Sequence, residues 1–70
     1  MNHEAREILS RATLIDVALP HKRHPEVGVH LSVDRSLVAV VDSIAEAERE
    51  LDAIGFERTF PHALVWRRKG

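Results

Sequence analysis

The chain has no cysteine, only three glycines and three prolines, and among aromatics one tryptophan, two phenylalanines and no tyrosine. Without cysteine there is no disulfide, no thiolate metal ligand and no cysteine nucleophile, a composition compatible with a reducing cytosol. With so few glycines there is no phosphate-cradling glycine loop and no Gly-x-Ser-x-Gly elbow. Charge of one sign is lacking too. Ten Lys and Arg stand against eleven Asp and Glu, a net charge of -1, so no global field draws the chain onto nucleic acid or an anionic membrane. The longest apolar run, Leu37 to Val41, is far too short to cross a bilayer, and Met1-Asn2-His3-Glu4 lacks the basic-then-apolar pattern of a signal peptide. The expectation is a soluble, cytoplasmic protein.

Seventy residues, 44% of them apolar, suit one domain spanning 1–70 with a single core. No repeat or low-complexity segment stands out. A small monomer has a thin stability margin, and with disulfides excluded a partner subunit is a natural way to widen it.

The best-marked element is a helix over Ile44 to Ile54, where Ile44, Ala47, Leu51 and Ile54 gather on one face. Ser43 is placed to cap its start, with Glu46 three residues on completing a capping box, and Gly55 suits a left-handed residue past its end. Glu46, Arg49, Glu50 and Asp52 form a solvated outer face. Upstream, Val27, Val29, Leu31 and Val33 alternate with smaller or polar residues as a half-buried strand does, Asp34-Arg35-Ser36 supplies a turn, and Leu37 to Val41 forms the second arm of a hairpin. Phe56 to Pro61 reads as a connection and Ala63 to Arg67 as a last strand.

The N-terminal third supports two readings. Thr13, Ile15 and Val17 are β-branched and favour a strand over about residues 13 to 19 after a helix over about 3 to 11. Ala5, Ile8, Ala12, Ile15 and Leu19 also fit one long helical stripe ending before Pro20. Pro20-His21-Lys22-Arg23-His24-Pro25 is a loop in either case. The favoured order is α-β-β-β-α-β. It makes an α+β domain whose antiparallel sheet of three to four strands is packed by one amphipathic helix.

Candidate chemistry is sparse. His21 and His24, joined by His30 or His62, offer imidazoles, but Lys22 and Arg23 between the first two repel a dication and solvent-exposed loop histidines explain them more simply. Asp16, Asp34 and Asp42 resemble a carboxylate set for magnesium. Asp34 is nevertheless explained by its turn, Asp42 by the helix dipole and Asp16 by a solvent-facing strand position. Ser10, Ser32, Ser36 and Ser43 have turn, cap or surface roles. No enzyme, cofactor or metal is therefore expected.

Two basic clusters, Lys22 with Arg23 and Arg67-Arg68-Lys69, with Trp66 beside the second, form a small footprint for nucleic acid if the fold brings them to one end of the sheet. The near-zero net charge and the acidic helix face oppose it.

The strand-to-helix segment Val38-Ala39-Val40-Val41-Asp42-Ser43-Ile44-Ala45-Glu46-Ala47 resembles the corresponding start of HicB-type antitoxins, and is similar to other small bacterial strand-strand-helix-strand families. That resemblance implies a sheet-and-helix fold and a protein partner. It covers less than half the chain, lacks the Pro-Gly turn those domains place before the helix, shows no DNA-binding segment after it, and transfers no functional residue.

The function expected is a non-enzymatic interaction module that presents a sheet face or edge to a protein, most simply a second copy of itself. Trp66, which as a large aromatic suits either the core or an interface, Leu64, Val38 and Val40 are the expected contact residues, with Arg67 as a polar rim anchor. A nucleic-acid-binding, antitoxin-like regulator using Lys22, Arg23, Arg67, Arg68 and Lys69 is the first alternative. A histidine metal domain is the second.

Overall fold

A computed structural model describes residues 1–19 and 28–70. In chain order the elements are α1 (His3–Ser10), β1 (Leu14–Ala18), β2 (Val29–Val33), β3 (Ser36–Val41), α2 (Ile44–Ala53), β4 (Phe56–Arg58) and β5 (Val65–Arg68). The fold is α+β. The β-branched residues of the N-terminal third win over the helical stripe, so α1 stops at Ser10 and Ile15 and Val17 enter a strand.

The five strands form one antiparallel sheet in the order β3-β2-β1-β5-β4. This is one strand more than the sequence reading. The segment after Gly55, expected to be a connection, contains β4, whose three residues pair with β5 through Phe56 opposite Arg68 and Arg58 opposite Trp66. Three residues are too few to show a period-two pattern, so β4 left no signal of its own.

Local chemistry sets the boundaries. Asn2 caps α1, its side-chain oxygen accepting from the Ala5 amide at 2.8 Å. Ser43 caps α2 by accepting from the Glu46 amide at 3.1 Å, while the Glu46 carboxylate accepts from the amide of Asp42 at 2.7 Å. The return bond of the capping box thus lands one residue upstream of its usual place. Gly55, with φ of +87°, ends α2 as its amide donates to the Asp52 carbonyl. In the β2–β3 hairpin, Asp34 and Arg35 both have positive φ, as a two-residue type I′ turn requires.

Both helices lie on the same side of the sheet. Leu9 and Ala12 from the α1 end and Ala47 and Leu51 from α2 join Ile15, Val17, Val29, Leu31, Val41, Phe56 and Trp66 in one buried cluster. An ion pair between Arg6 and Glu50, 3.5 Å apart, ties the two helices together. The sequence reading has one amphipathic helix packing the sheet. Instead two helices share one face, and none of the described residues forms a layer over the other.

Candidate functional site

Alternation along each strand decides what the uncovered face carries. Ile15, Val17, Val29, Leu31 and Trp66 point toward the helices and are buried, so their neighbours point away. Register then places Leu14, Asp16 and Ala18 of β1 beside His30 and Ser32 of β2 on one flank and Val65 and Arg67 of β5 on the other. Leu37 and Val40 of β3 continue the face at one edge, and Glu57 of β4 continues it at the other.

The register of β2 and β3 shifts between Leu31 and Ser32, so β3 holds an extra residue there. Its effect falls on Val38, which is half-buried and packs against the core. Leu37 and Val40, on either side of it, are 56% and 50% exposed, and Leu14 on the central strand is 51% exposed. Three large aliphatic side chains therefore stand half in water on a face that also carries Ala18 and Val65.

The expected contact residues do not share one surface. Trp66 is 2% exposed. It pairs with Ile15 across β1 and β5, and this register turns its ring toward the helices. Contact between Trp66 and a partner on the open face is excluded by that burial. Val38 is likewise turned inward by the bulge. Leu64 is exposed but lies beyond β5, where its carbonyl accepts from the Val17 amide at 2.9 Å. Val40 and Arg67 do lie on the uncovered face. Leu14, Leu37 and Asp16 join them there, and sequence reasoning did not assign them to a contact. The period-two pattern of β1 carries that signal for Leu14 and Asp16, once the buried partner Ile15 is known.

The basic residues at the C-terminus are dispersed rather than clustered. Arg67 lies on the uncovered face and pairs with Glu57 at 3.3 Å. Arg68 turns to the helix side, donating to the Ser10 carbonyl, with its guanidinium carbon 5.4 Å from the centroid of the Phe56 ring. Lys69 pairs with Asp52 of α2. Three consecutive cations thus serve three separate intramolecular contacts and do not make a contiguous basic stripe among the described residues. Lys22, Arg23, His21 and His24 lie outside the described residues.

Among the described residues no group of three or more His, Asp or Glu side chains is placed to hold a metal ion. Asp16, His30 and Ser32 are neighbours on the uncovered face through the β1–β2 register. One groove is lined by Glu48, Arg49, Asp52, Phe56, Glu57, Arg58 and Trp66. Of its two arginines, Arg58 is already engaged, since it stacks on Trp66 and pairs with Glu48. No described helix is long and apolar enough to cross a membrane. Comparison with family models, curated proteins and solved structures returned no match.

Proposed function

We propose that the protein is a non-enzymatic interaction module that binds a second copy of itself through the uncovered sheet face. The observation that carries this reading is the half-exposed aliphatic set Leu14, Leu37 and Val40 on a face over which no described residue forms a layer, although Leu14 and Leu37 border grooves shared with α1. Leu37 and Val40 flank the face on β3 and Leu14 stands two strands away across His30 and Ser32, so apolar side chains border a polar centre, and exposed apolar surface on one face marks a contact site. A net charge of -1 leaves two copies with little mutual repulsion, and a chain of this size gains stability from a partner.

The size of the face sets the strength expected. Five strands about 4.8 Å apart and about five residues long make a patch of roughly 20 by 16 Å. Two such patches bury about 640 Å² in projection, and side-chain relief adds to that. This lies below the roughly 1,200–2,000 Å² of standard interfaces, and it points to a weak dimer rather than an obligate one.

Sedimentation equilibrium of the chain from about 1 µM to 1 mM spans the affinity range of weak complexes and tests the reading. A monomer–dimer equilibrium that Val40→Lys and Leu37→Lys shift toward monomer supports it. A monomer at every concentration refutes it.

A further inference from the structure

Asp16 occupies the middle of the uncovered face. It sits on β1, the central strand, directly opposite Val65 of β5 and Ser32 of β2. Two copies stacked face to face about an axis through this point would bring Asp16 against its own copy, two carboxylates sharing a site from which water is being removed. Like charges in such a place oppose association. A centred stack is therefore disfavoured by the very residue at its centre.

The same face supplies the remedy. Leu14 pairs with Arg67, so Arg67 lies diagonally from Asp16, one strand over and two residues along. Diagonal neighbours of this kind are about 7 Å apart. Arg67 is more than half exposed and holds Glu57 at 3.3 Å, so its guanidinium has further donors to offer.

We infer that two copies of the chain stack about a two-fold axis that passes between Asp16 and Arg67, so that Asp16 of each protomer pairs with the partner's Arg67. Isologous symmetry makes the contact reciprocal: one such pair implies the second. The offset separates the two central carboxylates and lets Leu14 of each copy lie inside the contact. It also turns a charge that blocks the centred arrangement into the element that selects the register. This inference rests on the self-association proposed above.

Charge reversal tests it. The native chain, Asp16→Arg, Arg67→Asp and the double variant are compared by sedimentation equilibrium, with circular dichroism confirming that each folds. Each single reversal is expected to raise the dimer dissociation constant about tenfold or more, as truncation of interfacial charge pairs does, and the double reversal to recover most of that loss. If the native chain dimerises but single reversals leave it unchanged, or the double variant is no tighter than the singles, the Asp16–Arg67 pairing is overturned while self-association stands. If the native chain does not associate at any concentration, self-association itself is wrong and the pairing falls with it.

Discussion

The guanidinium carbon of Arg58 lies 4.7 Å from the centroid of the Trp66 ring, with which it pairs across β4 and β5. Glu48 of α2 approaches Arg58 Nε to 2.8 Å. Its oxygen lies off the N–H direction, so this buried nitrogen has an ion pair but no aligned hydrogen bond. Helix, cation and indole are stacked in that order, and they close the β4 end of the core.

Removing the indole from this stack leaves a cavity among Phe56, Ile15 and Leu51. Trp66→Ala is expected to lose about 3–5 kcal/mol, as large aromatic truncations do, most of the stability of a domain whose total lies near the bottom of about 5–15 kcal/mol. Circular dichroism should show a largely unfolded chain. Arg58→Ala should lose only about 1–2 kcal/mol, the range of a partly desolvated cation–π contact. The single tryptophan reports this second loss directly by fluorescence in urea.

Two glycines with positive φ should respond differently to alanine. At Gly28 a Cβ would meet the Val41 carbonyl oxygen at 2.7 Å and a Val40 methyl at 2.9 Å, whereas at Gly55 it would meet nothing within 4 Å. Gly55→Ala is expected to lose about 1–2 kcal/mol of left-handed strain alone. Gly28→Ala adds a clash with backbone and should lower the melting temperature by clearly more, each kcal/mol being worth about 4–8 °C at this size. Equal melting temperatures for the two variants would contradict the close approach of Gly28 to β3.

The cap of α2 divides between two side chains. Ser43→Ala should lose about 1 kcal/mol. Glu46→Ala should lose a comparable amount, because it frees the Asp42 amide and also removes a carboxylate from the first turn of the helix. Thermal unfolding of the two single variants and the double variant measures both contributions and their coupling.

The two faces of the sheet should differ in tolerance. Leu31→Ala, on the helix side and fully buried, is expected to lose about 2–5 kcal/mol. Leu14→Ser, on the open side, should stay within about 0.5 kcal/mol when measured on dilute monomer. A large loss at Leu14 in dilute solution would mean that the open face is covered within the chain.

The helix α2 was legible because its spacing, cap and terminal glycine agree, and the β2–β3 hairpin because Asp34-Arg35 falls between two alternating runs. Strand β4 was not, since Phe56-Glu57-Arg58 takes its conformation from pairing with β5 rather than from its own pattern. Trp66 was legible as a core or interface residue, but which of the two was not, for a related reason. Alternation says that Leu64 and Trp66 share a side of the last strand, but only register with Ile15 says which side is the core. The candidate face has the same history: Asp16 takes the solvent-facing strand position that its pattern suggests, whereas placing Leu14 and Asp16 on one face with Val40 and Arg67 needed the position of β1 at the centre of the sheet. The inward turn of Val38 depends on a bulge that no residue in Leu37 to Val41 announces.

The position of β5 has a kinetic consequence. It is the last strand in sequence yet lies between β1 and β4, and it meets β1 through residues from opposite ends of the described chain. The three-stranded meander from β1 to β3 can form by local steps, but β4 has no sheet to join until β5 arrives. Such long-range closure slows folding relative to helical domains of equal length. Until it occurs, the flank of β1 that β5 will occupy offers open amides and carbonyls to any other strand, so the unfinished meander is the species most prone to aggregate.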